Sequence, residues 1–306
     1  MKTYRLIDLV FAARPMLHLP IWSVYLVSFY YYHQLSEESF QWTDVGLMAG
    51  MSLMAAGAYY LNQVHDQVSD RINRKLGFLQ TGCFSENELM IAYLTVSLLG
   101  MGCALWYSFF ILIVFLQAFV LGYIYSAPPS RLKDRPVLGM FANGYAFGFL
   151  IPLTVMPELN LHNTGLLGWD NPIYFFLAVT SIYLMTTLPD RPGDHAVGKR
   201  TAAVLLNRRV VKLLALILML LAAYVAQKSH RDLLLLLALL SALPILVTLF
   251  VSSEKLELLA AKLPILLLTI LAGWFYPLYF LFIVVLLIIT RLYYQRRFNA
   301  VYPKLA

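Results

Sequence analysis

Residues 62–70, NQVHDQVSD, close a long apolar run with an asparagine, two aspartates and a histidine, just where a membrane span would end. A second acidic group, DRPGD at 190–194, closes another such run. The chain around them is very apolar: of 306 residues 60% are hydrophobic and 13% charged, and the mean hydropathy is +0.71. A soluble domain is about half apolar and about a quarter charged. The excess falls in blocks of about 20 residues, the length that crosses a bilayer core of about 30 Å. The pattern implies an all-α polytopic membrane protein, because a helix satisfies its own backbone groups in lipid and an isolated strand does not.

Nine spans are expected, near 17–35, 44–63, 88–106, 108–126, 138–157, 171–188, 210–227, 232–251 and 263–290. They form a single domain over 1–306, two four-helix repeats and one further helix around a central cavity. The last segment is long for one crossing and is interrupted by Gly273 and Pro277. It reads as one tilted, kinked helix rather than a broken pair. The N-terminal stretch has Asp8 and Arg14 where a signal peptide needs apolar residues, so a short interfacial helix is expected there.

Lys and Arg gather in alternate loops: Lys2, Arg5 and Arg14; Arg71, Arg74 and Lys75; Arg131, Lys133 and Arg135; Arg191, Lys199, Arg200, Arg208 and Arg209. The loops at 36–43 and 158–170 contain neither. The positive-inside rule then places the N-terminus and the connectors at about 64–87, 127–137 and 189–209 in the cytoplasm. The net charge of +7 is accounted for by these loops and implies no nucleic-acid partner. With nine spans, Arg291, Arg296, Arg297 and Lys304 fall on the wrong side.

Asp66 to Asp190 and Asp70 to Asp194 have the same spacing, 124 residues, with four spans between. Both acidic groups therefore leave the membrane in one direction, as in a parallel repeat with a site between its halves. Positions four apart on a helix differ by about 40°. Asn62, Asp66 and Asp70 thus share a face; Asp190 and Asp194 do the same if Pro192 and Gly193 leave that stretch helical rather than turned. Four carboxylates at one cavity mouth repel unless a cation joins them. Oxygen ligands without a thiolate cluster suit Mg²⁺, which also binds phosphate. Lys75, Arg131, Lys133, Lys199 and Arg200 lie close by in sequence, and acids, metal and fixed cations together make a diphosphate clamp.

These residues resemble the UbiA superfamily of intramembrane prenyltransferases, which carries N-x-x-x-D-x-x-x-D after its second span and D-x-x-x-D after its sixth. Here the motifs are Asn62–Asp66–Asp70 and Asp190–Asp194; YSAPP with its basic continuation, Tyr125 to Lys133, and GKRT at 198–201 also match. The resemblance implies Mg²⁺-dependent transfer of an isoprenyl group from a polyprenyl diphosphate to a lipophilic or aromatic acceptor, by ionisation to an allylic cation, in contact with membrane lipids. It assigns Asn62, Asp66, Asp70, Asp190 and Asp194 to two Mg²⁺ ions. Lys133 becomes the leading diphosphate-binding cation, with Lys75, Arg131 and Arg14 in support, and Tyr125 stands near the reacting carbon. Gln63 departs from the pattern, since many members have Asp there. After Asp70 the chain reads RINRKLGFLQTG, without the R-T-x-x-R-P-like stretch of ubiquinone-type and haem-type members.

Two other classes fit the sequence less well. A cation transporter using the same aspartates needs acids deep in its spans, and here they cluster at one end. A CDP-alcohol phosphotransferase needs D-x-x-D-G-x-x-A-R, which is absent. His65 and His195 flank the acids, but solvation or polar contact explains them better than a dedicated metal site. Asn143 either binds an acceptor or bonds a neighbouring helix, while Gly139, Gly144 and Gly148 suit close helix packing. Ser85 to Glu88 reads as a capping box that makes 71–84 a connector outside the membrane.

Overall fold

The computed structural model describes residues 5–33, 40–72, 77–156 and 169–303. Lys2, Arg74, Lys75 and Lys304, half of the loop at 36–43 and most of that at 158–170 lie outside the described residues. The described elements are helical: α1 (Arg5–Ala12), α2 (Leu19–His33), α3 (Trp42–His65), α4 (Gln67–Ile72), α5 (Glu86–Tyr107), α6 (Phe109–Ser126), α7 (Pro136–Leu153), α8 (Asp170–Ala196), α9 (Ala202–Leu205), α10 (Arg208–Lys228), α11 (Asp232–Phe250), α12 (Glu254–Phe275) and α13 (Pro277–Phe298).

Nine helices or helix runs among the described residues are long and apolar enough to cross a membrane. The expected set of spans changes at two places. The 263–290 segment is two helices, α12 and α13, broken at Tyr276. Pro277 has no N–H to continue the ladder, and its ring drives the preceding residue out of the α region; Tyr276 sits at φ −128°, ψ 84°. Conversely, α3 is 24 residues long but is not among the nine. At about 1.5 Å per residue it still reaches across a bilayer core.

The extra reversal brings the C-terminal end back beside the N-terminal one. Arg297 Nη2 lies 3.0 Å from Asp8 Oδ2, and the Tyr293 hydroxyl donates to Asp8 Oδ1 at 2.6 Å. Phe11 stacks on Tyr293 with centroids 3.7 Å apart. The arginines of α13 therefore join the basic end of the bundle, and the misfit left by nine crossings disappears. At the opposite end, Trp42, Trp106 and Trp274 are 88%, 91% and 80% exposed, as in an aromatic belt at a membrane interface.

The repeat is visible in the packing. α3 packs along α5, and α8 packs along α10, so each acid-bearing helix is backed by the next long one. Close approach needs small residues: a Cβ on Gly57 would meet Ser97 and Tyr93 of α5, and one on Gly148 would run into the Phe175 carbonyl of α8. Close packing is thus the role of the α7 glycines, and α7 takes a π-helical turn over Gly144–Leu150 against α8. The Ser85 capping box is present, with Ser85 N donating to Glu88 Oε2 at 2.9 Å and Glu88 N to Ser85 Oγ at 3.3 Å.

Candidate active site

A cavity of about 490 Å³ runs into the bundle from the end that carries the basic loops. Asn62, Asp66, Asp70, Asp190, Asp194, Arg14, Tyr125, Lys133 and Lys199 border it. The two acidic motifs, 124 residues apart in sequence, thus meet at one mouth.

Backbone geometry sets each group. α3 ends at His65, and Asp66 takes φ −108°, ψ 10°, so the expected single helix is interrupted there. The ladder survives the break: Asp66 N donates to Asn62 O and Asp70 N to Asp66 O, each at 2.9 Å. That preserves the four-residue spacing and keeps all three side chains on the cavity. At the second motif α8 stays helical through Pro189 and Pro192 to Ala196, which resolves helix against turn. It ends in a Schellman motif, with Lys199 N bonding Asp194 O at 2.9 Å and Gly198 N bonding His195 O at 3.1 Å. Gly198 has φ +73°, where a side chain is strained. This turn folds Lys199 back over Asp194.

Lys199 is the residue sequence reasoning undervalued. Its Nζ lies 3.1 Å from Asp66 Oδ1 and 3.4 Å from Asp194 Oδ1, so one ammonium bridges the two motifs. Its signal was the Gly198–Lys199 pair at a helix end. Lys133 Nζ lies 3.0 Å from Asp66 Oδ2 and donates to Asn62 Oδ1 at 2.9 Å. Arg131 Nη2 is 3.6 Å from Asp66 Oδ1, and its Nε pairs with Asp134 Oδ2 at 2.7 Å. Arg14 Nη2 reaches Asp70 Oδ2 at 3.4 Å from a left-handed backbone turn, φ 55°, between α1 and α2.

Burial raises the Asp66 carboxyl, but Lys133 and Lys199 outweigh it and hold that carboxyl below its ordinary value. Burial lowers Lys133; Asp66 opposes that, and Lys199 and Arg131 add to the lowering. Lys199 is also desolvated, yet Asp66 and Asp194 raise it above the usual lysine value. The more buried lysine is the one whose charge is harder to hold. Three cations crowd Asp66, an arrangement ready to receive an anion.

Five oxygen-bearing side chains on one cavity are the donor set for a hard divalent cation. As placed, ammonium groups stand among the acids, and no three His, Cys, Asp or Glu among the described residues are grouped to hold an ion. The Lys199 ammonium between Asp66 and Asp194 marks where a positive charge is favoured, and the oxygen donor set fits Mg²⁺. Gln63 is turned away from the cavity. Its Nε2 donates to Ala12 O at 2.8 Å and secures the turn that carries Arg14. His65 and His195 do not border the cavity either. Tyr125 does, and its hydroxyl accepts from Asn143 Nδ2 at 3.1 Å, so Asn143 both bonds a neighbouring helix and faces the site.

Away from the mouth the lining turns apolar, with Met51, Ala55, Val114, Phe115, Leu150 and Ile151. A transporter path needs ionisable groups along its depth, and the described lining residues provide them at one end.

The model of the UbiA prenyltransferase family matches residues 21–257. Among curated proteins, the chain is 25% identical over 182 residues to a probable homogentisate phytyltransferase 2, chloroplastic, from Oryza sativa subsp. japonica, covering 56% of this chain and 48% of that protein. It is 33% identical over 170 residues to the chloroplastic chlorophyll synthase of the same plant, covering 51% and 43%. The chain therefore spans about half the length, or less, of these curated relatives. The solved structure of a UbiA homolog from Archaeoglobus fulgidus, bound to DMAPP and Mg²⁺, matches with a TM-score of 0.65 at 19% identity, over 90% of this chain and 98% of that one. At that identity the likeness is one of fold.

Proposed function

The chain belongs to the UbiA prenyltransferase family, and from that premise we propose that it transfers an isoprenyl group from a prenyl diphosphate to a lipophilic or aromatic acceptor within the membrane. The observation that carries this reading is the meeting of both aspartate motifs, through Lys199, at the mouth of an otherwise apolar cavity. Charge at one end and grease behind it match a molecule with a diphosphate head and a hydrocarbon tail. Relatives named for homogentisate and for chlorophyll support a ring-bearing acceptor.

Asn62, Asp66 and Asp70 would hold one Mg²⁺ and Asp190 and Asp194 a second; bound there, the ions offset the charge of the departing diphosphate. Lys133, Arg131 and Arg14 meet its oxygens, with Lys199 beside them. The allylic carbon–oxygen bond breaks with its electron pair leaving on the diphosphate. Tyr125 presents an aromatic ring to the cavity, where a carbocation is favoured. The apolar wall keeps water from the cation until the acceptor attacks and loses its proton. The basic loops support a cytoplasmic mouth and N-terminus, with the connectors at about 64–87, 127–137 and 189–209 arranged around the site.

The test is reconstitution of the chain in liposomes with tritiated geranylgeranyl diphosphate, Mg²⁺ and a panel of aromatic and lipid acceptors. Prenylated product is expected, and Asp66→Ala and Asp190→Ala each lower turnover by about a hundredfold or more. Full activity in either variant removes the role given to that motif. Metal flux without any prenyl diphosphate points to a transporter instead.

A further inference from the structure

We infer that the cavity admits a prenyl tail of about four isoprene units, with Met51 and Phe115 as its floor; this deepens the proposed reading and rests on it. The cavity follows one stripe of α3, where Met51, Ala55, Ala58, Asn62 and Asp66 all border it. From Asp66 down to Met51 the helix descends about 22 Å at about 1.5 Å per residue. An extended isoprene unit, four carbon–carbon bonds of about 1.5 Å in a zigzag, covers about 5 Å. A tail whose diphosphate sits at Asp66 therefore brings its fourth unit to Met51.

The far end is closed. Met51 and Phe115 are 5% and 3% exposed. One turn further on, Leu47 of α3 and Ile111 of α6 are buried core residues that do not border the cavity. Backbone packing adds to the seal: a Cβ built on Gly50 would lie 3.3 Å from the Phe115 ring and 3.1 Å from Cys103 Cβ. Above this floor, Ala55, Ala58, Ala118 and Gly122 border the cavity with small side chains or none, leaving room for the tail. Ala55 lies about 16 Å and Ala58 about 12 Å from Asp66 by the same rise. A phenylalanine at either position would build a new floor higher up.

The experiment measures Mg²⁺-dependent displacement of tritiated geranylgeranyl diphosphate from the detergent-solubilised chain by geranyl, farnesyl, geranylgeranyl and hexaprenyl diphosphates. For the unaltered chain, hexaprenyl diphosphate is expected to bind about tenfold more weakly than geranylgeranyl diphosphate, the penalty for overfilling a packed site. Ala55→Phe moves the break to between farnesyl and geranylgeranyl, Ala58→Phe moves it to between geranyl and farnesyl, and Phe115→Ala relieves the penalty on hexaprenyl. For the two filled variants tritiated geranyl diphosphate, too short to reach either new ring, is the tracer, and its retained binding shows that they are folded. Equal binding at every length, or a break that stays put in folded variants, overturns the floor while leaving the prenyl-diphosphate reading intact. Binding of none of the four overturns both.

Discussion

Replacing Lys199 with glutamine removes an ammonium that stands 3.1 Å from Asp66 and 3.4 Å from Asp194. The two carboxylate oxygens share that nitrogen, so they are at most about 6.5 Å apart, and at an effective dielectric of about 20 their repulsion is about 2.5 kcal/mol. Breaking a buried ion pair by removing one partner costs about 3–5 kcal/mol when the other charge is left bare. Asp66 is not left bare, because Lys133 at 3.0 Å and Arg131 at 3.6 Å remain. The expected loss is therefore smaller, about 2–3 kcal/mol. A divalent cation restores the missing positive charge, so Mg²⁺ should stabilise Lys199→Gln more than the unaltered chain. Unfolding in detergent, followed with and without Mg²⁺, measures both effects, and Lys199→Arg is the control that keeps the charge. If Lys199→Gln unfolds with the unaltered chain, or Mg²⁺ shifts the two equally, the ammonium is not what joins the motifs.

Other outcomes follow from the same geometry. Gly198→Ala places a side chain at φ +73°, and should cost about 1–2 kcal/mol in the unfolding assay while lowering turnover by displacing Lys199. Chelation with EDTA should abolish prenyl transfer and Mg²⁺ should restore it, whereas transfer that persists in EDTA would exclude the metal role of the aspartates. Tyr125→Phe keeps the aromatic face and should retain most activity; Tyr125→Ala should lose about tenfold or more in kcat if that face steadies the cation. Gly148→Ala drives a methyl into the Phe175 carbonyl, and its melting temperature should fall by an amount equivalent to about 1–3 kcal/mol.

Much of the site was legible because membrane chemistry narrows the choices. Asn62, Asp66, Asp70, Asp190 and Asp194 stand out against a background that is only 13% charged, and their spacing of four carries a helical face with it. The Ser85–Glu88 box was equally plain, since it depends on local backbone alone. Lys199 was harder to weigh: its importance comes from a Schellman turn and from the distance to a carboxylate 133 residues away in sequence. Gln63 resembled a lost ligand, and only its bond to Ala12 shows that it serves the N-terminal turn. The break at Tyr276 was misjudged because hydropathy does not distinguish a kinked helix from two, whereas backbone dihedrals do.

Composition and periodicity by themselves determined that this chain is a bundle of membrane helices with its two acidic motifs and the basic loops beside them at one end. Those properties are set by transfer free energy and by the 3.6-residue turn, both of which act locally along the chain. Tertiary structure alone decided that α13 returns to the N-terminal end, that Lys199 bridges the two motifs, and that Met51 and Phe115 line the same cavity as both motifs. Each of these depends on contacts between segments far apart in the chain, where side-chain packing and short-range electrostatics select one arrangement among many that the same pattern of apolar and polar residues would allow.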